Sequence, residues 1–132
     1  MFRIVPAVPV EPGLSGRVAL TVADADTAEV LGTGEVSVLA TPRLIALGEQ
    51  ATVAALAGQL PADQTSVGVR VQFDHLAPVR VGSTVTAEAV LERVEGRRLV
   101  FTVSATDASG LVGAGRITRV VVDRTGFLAK AR

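Results

Sequence analysis

The sequence predicts an α+β fold in which one long helix packs against an antiparallel sheet. Three observations support this prediction. Valine, which favours strands, occurs 23 times and is spread through most of the chain. Alanine, which favours helices, occurs 20 times and clusters at 46–57. Outside that cluster, apolar and polar residues alternate as they do in half-buried strands.

The 132 residues match the usual size of a single domain, and a hydrophobic fraction of 48% is sufficient to form a buried core. We therefore expect one domain over residues 1–132. Residues 1–16 contain Pro6, Pro9 and Pro12 and are predicted to form an extended N-terminal arm. The first strand follows at 17–23, where Val18, Leu20 and Val22 share one face.

Composition excludes several classes of protein and site. Thirteen basic residues balance thirteen acidic ones, which argues against nucleic-acid binding by a basic surface. The chain has no cysteine and a single histidine, His75, so neither a disulfide scaffold nor a site of two or three histidines can form within it. Because no apolar run approaches a membrane span and no signal-peptide pattern is present, we expect a cytoplasmic protein without a membrane partner.

Residues 24–35 contain Asp24, Asp26, Gly32 and Gly34 and are predicted to form a loop. The pattern changes after a short extended piece at 36–38. Thr41-Pro42 is a helix-start signal, with threonine as the N-cap and proline at the first helical position. The predicted helix covers 42–57 and ends at Gly58. It is apolar on most sides, so it should be largely buried.

Four more strands follow, at 67–73, 84–94, 98–106 and 111–122. Glu95-Gly96 and the segment 107–110 are turn signals that join the last three. A sheet wrapped around one long helix is the hotdog arrangement. Because a single helix cannot cover the sheet and its edge strands need partners, we expect at least a homodimer.

Three residues are candidates for a functional site from their chemical type and their position in the predicted elements alone. Glu49 lies in an apolar helix, where a carboxylate is costly unless it is paired or faces a cleft; the alternative is an exposed patch beside Gln50 and Thr52. His75 either ends a strand as a surface residue or transfers protons near neutral pH. Gly68 interrupts a β-branched run, which indicates either helix packing or close approach of another group.

Five segments, in order and spacing, carry a resemblance to a known family. They are A-T-P-R-L-I-A-L-G-E (40–49), S-V-G-V-R-V-Q-F-D-H-L-A-P-V-R-V-G (66–82), V-E-G-R-R-L (94–99), G-A-G-R-I-T-R (113–119) and G-F-L-A-K (126–130). Through them residues 36–130 resemble the fluoroacetyl-CoA thioesterase family of hotdog proteins. The resemblance implies hydrolysis of an acyl-CoA thioester, with no metal or resident cofactor. Separately, the scarcity of large aromatic residues around the predicted site favours a small or aliphatic acyl group.

The resemblance also assigns residues. It places the family's catalytic threonine, glutamate and histidine at Thr41, Glu49 and His75, and the glycine that faces the acyl group at Gly68. Arg119 matches a late arginine that either contacts the substrate or holds a carboxylate. The fluoroacetate-specific type carries a phenylalanine in the lid before the helix, whereas residues 24–40 contain none. Apart from the resemblance, Arg97 and Arg98 after the hairpin turn, with Arg80 and Arg116, are either candidates for the CoA phosphates or solvated surface residues.

Several alternatives remain open from the sequence. Thr41 either only caps the helix or also directs its hydroxyl into the site, where a helix N-terminus favours an oxyanion. Water either attacks the thioester directly or hydrolyses a transient acyl-Glu49. A hotdog hydratase or dehydratase, and a non-catalytic acyl-CoA-binding module, are the alternative functions.

Overall fold

The computed structural model describes residues 8–132, in which five strands form one antiparallel sheet of order β1-β3-β4-β5-β2. Residues 1–7 of the predicted arm lie outside the described part. The elements in chain order are β1 (Ser15–Thr21), a 3₁₀ turn (Asp24–Asp26), α1 (Ala28–Leu31), α2 (Thr41–Leu56), β2 (Gln64–His75), β3 (Thr84–Glu95), β4 (Arg98–Asp107), β5 (Gly110–Asp123) and α3 (Arg124–Ala129).

Helix α2 is the predicted long helix, but it begins at Thr41 rather than at residue 42. The prediction that Thr41 is the N-cap is wrong. Ala40 occupies that position with an extended backbone, and its carbonyl accepts the first helical hydrogen bond, from the Leu44 N–H. Thr41 is therefore already helical, and its side chain is left for another partner. After Leu56 the chain leaves the helix through Gly58, whose φ of 73° suits glycine.

The core lies between α2 and the sheet. One face of α2 is fully buried, including Leu44, Leu47 and Ala51, and it packs mainly against β1 and β3. Gly16 on β1 lets the strand and helix backbones touch, because a Cβ there would overlap the main chain at Ala51 and Ala55. This packing fixes the direction of α2 across the sheet and hence the placement of Thr41 and Glu49 along it.

Two tight turns join β3, β4 and β5 as predicted. Glu95 pairs with Arg98, and Gly96 between them has φ of 62°. Asp107 pairs with Gly110, and the Asp107 carboxylate accepts hydrogen bonds from the backbone N–H groups of Ser109 and Gly110. Phe101 on β4 and Ile117 on β5 are fully buried and lie in the core.

Strand β2 lies at one edge of the sheet. Among the described strands it pairs with β5 alone, so one side of its backbone carries no strand partner. Its central residues, 68–72, are exposed, including Val69 and Val71. Within the described residues, this twelve-residue edge strand leaves the N–H and C=O groups of its outer side without a strand partner.

The segment between β1 and α2 is more regular than the loop predicted at 24–35, since it contains the 3₁₀ turn and α1. Its ends are fixed: Thr27 and Leu39 form a β-bridge and are buried, and Leu39 donates its N–H to the Val79 carbonyl. Asp26 and Arg43 form an ion pair at 3.0 Å that ties the segment to α2. We call residues 27–39 the lid segment.

Helix α3 was not expected from the sequence; the Asp123 carboxylate caps it by accepting the Gly126 N–H. No helix in the described part of the chain is long and apolar enough to cross a bilayer.

Candidate active site

Thr41 and His75 meet at one end of the molecule. Thr41 lies in the first turn of α2 and His75 is the last residue of β2. The Thr41 Oγ1 and His75 Nδ1 atoms are 2.8 Å apart, within hydrogen-bonding distance. The other ring nitrogen, Nε2, is buried and has no hydrogen-bond partner among the described residues. The Thr41–His75 pair therefore combines a positioned hydroxyl with a ring nitrogen that is still available.

An open cleft of about 370 Å³ adjoins this pair. Its walls come from the lid segment on one side and from the chain after β2 on the other, including Leu76 and Pro78. Since Thr41 and His75 both line it, a molecule bound in the cleft would contact them directly.

A second group of polar residues lies further along α2. The Glu49 carboxylate accepts a hydrogen bond from Arg119 Nη1 at 3.1 Å. Arg119 also donates from Nε to the Ser66 hydroxyl at 2.8 Å and from Nη2 to the Ser66 carbonyl at 3.1 Å. All three guanidinium nitrogens are thus engaged by the protein. We call Glu49, Ser66, Gly68 and Arg119 the Arg119 group.

The two charged members differ in burial. The side chain of Arg119 is 8% exposed, whereas that of Glu49 is 38% exposed. Burial lowers the pKa of the Arg119 guanidinium, and the charge and hydrogen bond of Glu49 oppose that shift. Of the two predicted roles for Arg119, this geometry matches the one that holds a carboxylate. Glu49 retains exposed surface toward solvent, as a group that meets a substrate requires.

Gly68 lies beside the Glu49 carboxylate. It is opposite Arg119 in the β2–β5 register, at a bulge before Arg70. A Cβ on Gly68 would overlap Glu49 Oε2 and come within 3.5 Å of Arg119 Nη1. The group that approaches Gly68 is a carboxylate carried by helix α2, so the two alternatives for this glycine, close approach of another group and helix packing, are met by the same contact.

The Thr41–His75 pair and the Arg119 group are not in contact within the chain. Thr41 and Glu49 are eight residues apart on α2, about 12 Å along the axis. Gly68 and His75 are separated by roughly 20 Å of β2. Over residues 8–132, none of the hydrogen bonds joins a member of one group to a member of the other. The predicted site residues thus fall into two clusters.

Ser66 belongs to the Arg119 group but was not among the predicted site residues. It lies two positions before Gly68 on β2, so both face the same side of the strand. That spacing is visible in the sequence, but the pairing of β2 with β5 that brings Arg119 opposite is not. Arg116, a candidate for the CoA phosphates, instead pairs with Glu92 at 3.0 Å.

Residues 22–125 match the model of a family described as FlK, fluoroacetyl-CoA-specific thioesterase. The chain belongs to this family. The predicted resemblance and the predicted hotdog fold are confirmed. The prediction of an enzyme that hydrolyses an acyl-CoA thioester is confirmed at the level of this thioesterase family.

Individual relatives agree with the family. The fluoroacetyl-CoA thioesterase of Streptantibioticus cattleyicolor is 40% identical over 95 residues, which are 72% of this chain and 68% of that protein. A structure of the fluoroacetyl-CoA thioesterase FlK superposes with a TM-score of 0.85 at 33% identity, covering 92% of this chain and 94% of that one. A hot-dog-like protein from Thermanaerovibrio acidaminovorans gives 0.81 at 34% identity, with 90% and 87% covered.

Proposed function

We propose that this thioesterase hydrolyses a small acyl-CoA thioester at a site completed across a homodimer, with Thr41, Glu49 and His75 as its catalytic residues. The hydrogen bond between Thr41 and His75, at the mouth of an open cleft, carries the proposal. A hydroxyl held by a histidine whose second nitrogen is unbonded in the described part of the chain is an arrangement suited to acyl transfer to water.

Thr41 and the start of α2 supply the polarising environment. The first N–H groups of a helix lack intrahelical partners and favour negative charge, so a thioester carbonyl beside Thr41 gains stabilisation as it becomes an oxyanion. The oxygen of water adds to the carbonyl carbon, and the carbon–sulfur bond then breaks. His75 carries the proton that neutralises the departing CoA thiolate, which leaves the free acid and CoA.

Glu49 supplies the carboxylate, as general base for water or as nucleophile. Its Oε2 is held by Arg119 at 3.1 Å, which leaves Oε1 for the reaction. Gly68 gives this carboxylate room and offers its backbone to the acyl group. Arg119 is a positioning residue in this scheme, because its nitrogens are already engaged by Glu49 and Ser66. These steps draw only on the chain's own residues and on the CoA of the substrate.

The homodimer accounts for the separation of the two clusters. If the exposed edges of two β2 strands pair antiparallel about a two-fold axis, the first residue of one strand comes opposite the last residue of the other. His75 ends β2, and Ser66 lies near its start. The Thr41–His75 pair of one protomer would then lie beside the Arg119 group of its partner, and the exposed Val69 and Val71 would be covered.

Thiol release from a panel of acyl-CoA esters tests the activity. We expect turnover in the wild type and a loss of about 10²- to 10⁴-fold in His75→Ala and in Glu49→Gln. Asp74→Ala is the matched control, because Asp74 is exposed and adjacent residues of a strand point to opposite faces.

Absence of thiol release with every ester would contradict the proposal, as would full activity in both variants. A product that retains its thioester would instead indicate a hydratase. Binding of the esters without turnover would indicate a non-catalytic module.

A further inference from the structure

The cleft beside Thr41 and His75 has a consistent chemical character. Three of its lining residues, Thr33, Thr41 and His75, carry polar side chains, and none of the lining residues carries a full charge other than the histidine when protonated. The remaining walls are small or aliphatic. They consist of Ala28, Gly34, Val36, Val38, Leu39, Pro42, Leu76, Ala77 and Pro78.

Two aliphatic residues at the cleft are unusually exposed. Val36 in the lid segment is 59% exposed and Leu76 on the opposite wall is 58% exposed. Apolar surface left in water around a polar reaction centre is typical of a site that an apolar group covers. The walls are preformed, because Leu39 is buried and held by a backbone hydrogen bond to Val79.

The cleft volume indicates how large an acyl group is needed to fill a substantial part of it. One water molecule takes up about 30 Å³ of liquid, and a methyl group is of similar size. A two-carbon acyl group would therefore leave most of a cleft of about 370 Å³ unfilled and most of its apolar wall in water. At that size two carbons fill about a sixth of the cleft, whereas an aliphatic chain of four to six carbons fills about a third to a half of it.

We propose that this cleft selects aliphatic acyl groups of four to six carbons over two-carbon groups, with Val36 and Leu76 as the residues that determine this preference. The inference rests on the proposed thioesterase activity and concerns its substrate class. Because each buried methylene contributes roughly a threefold to fourfold gain, the four additional methylenes of hexanoyl-CoA should raise kcat/KM about 10²-fold over acetyl-CoA. Fluoroacetyl-CoA, with two carbons, should fall at the low end.

The test compares acetyl-, fluoroacetyl-, butanoyl- and hexanoyl-CoA in the wild type and two variants. Val36→Phe narrows the cleft and should reduce the hexanoyl-to-acetyl ratio of kcat/KM by at least tenfold. Val30→Phe is the matched control, because Val30 lies in the same lid segment and is 62% exposed but does not line the cleft. It should leave the ratio unchanged.

A wild type that hydrolyses acetyl- or fluoroacetyl-CoA at least as efficiently as hexanoyl-CoA would overturn the inference while leaving the thioesterase in place. Equal effects of the two phenylalanine variants would overturn it as well. Absence of hydrolysis with all esters would instead count against the proposed function. Binding of alkyl-CoA thioethers would then decide the inference: dissociation constants that fall with chain length, except in Val36→Phe, uphold it, and length-independent constants refute it.

Discussion

The Thr41–His75 pair and the Arg119 group differ in how much of their hydrogen-bonding capacity the protein already uses. Arg119 directs all three guanidinium nitrogens to Ser66 and Glu49 and is almost fully buried. His75 has one nitrogen bonded to Thr41 and another that is buried with no hydrogen-bond partner within residues 8–132. A group whose nitrogens are all bonded by the protein fixes geometry, whereas a ring nitrogen with an unused hydrogen-bonding site can take part in proton transfer. The two clusters are therefore expected to fail in different ways when mutated.

The largest expected effect separates activity from stability at Thr41. Thr41→Val keeps the side-chain shape and removes the hydroxyl that contacts His75 Nδ1. We expect kcat to fall about 10²-fold or more, the range found when one transition-state donor is lost. Because Thr41 is exposed, the free energy of unfolding should change by less than about 0.5 kcal/mol. Thr41→Ser should retain activity within tenfold; equal losses in Val and Ser would contradict a role for the hydroxyl.

Substitution of Arg119 should reduce both the activity and the stability of the protein. Arg119→Lys keeps the charge but cannot reproduce three donors in a planar fork. We expect kcat to fall about tenfold with little change in KM, and the free energy of unfolding to fall by about 1–3 kcal/mol. Arg116→Lys is the control, since Arg116 is exposed and pairs only at the surface with Glu92. A KM effect without a kcat effect would assign Arg119 to substrate contact instead.

Two glycines on the paired strands β2 and β5 allow a residue of the Arg119 group to be compared with a residue that serves strand packing. A methyl group on Gly68 would overlap the end of the Glu49 side chain, which is free to move toward solvent. A methyl group on Gly115 would overlap the backbone carbonyl of Gln72, and this carbonyl is not free to move. Gly68→Ala should therefore reduce kcat about tenfold and cost less than about 1 kcal/mol of stability.

For Gly115→Ala we expect a stability loss of about 1–3 kcal/mol. Chemical denaturation of both variants, run beside kcat measurements, checks the difference. A destabilisation of Gly68→Ala as large as that of Gly115→Ala would place Gly68 in packing rather than in the site.

The smallest effect belongs to the exposed pair of Arg116 and Glu92. The hydrogen bond and charge of Arg116 lower the pKa of Glu92 from its ordinary value of 4.5. A lowered carboxyl pKa contributes stability that is present above about pH 4.5 and is lost as the pH falls through the folded-state pKa. Glu92→Gln should therefore lower Tm by roughly 2 °C or less at pH 7, and by progressively less as the pH falls below about 4.5. A larger difference at low pH than at neutral pH would contradict this sign.

Local signals were sufficient for most of the fold. Helix α2 and the meander from β3 to β5 could be predicted because alternation and turn residues such as Gly96 act over a few positions. Strand β2 begins three residues earlier than predicted, because Gln64, Thr65 and Ser66 are polar and conceal the alternation. Helix α3 was missed because Asp123 directly continues a strand.

The resemblance supplied candidate site residues, but the sequence did not reveal how the fold would group them. The resemblance named Thr41, Glu49, His75, Gly68 and Arg119, whereas their division into two clusters depends on the register of β2 with β5 and on the length of α2. Register is set by contacts between residues distant in sequence, so neither Ser66 nor the pairing of Arg119 with Glu49 could be found from spacing alone. Thr41 was assigned to capping because threonine before proline is a common helix start.

Complementation between subunits tests most directly whether the two clusters form one site across a dimer. His75→Ala and Glu49→Gln chains, inactive separately, are mixed and allowed to exchange subunits. If each site takes the Thr41–His75 pair from one protomer and the Arg119 group from the other, every mixed dimer holds one intact site, and the mixture should recover about a quarter of wild-type activity. If each site lies within one chain, every site in the mixture carries a lesion. Activity that stays at the level of the separate variants, with mixed dimers shown to have formed, would contradict the shared site.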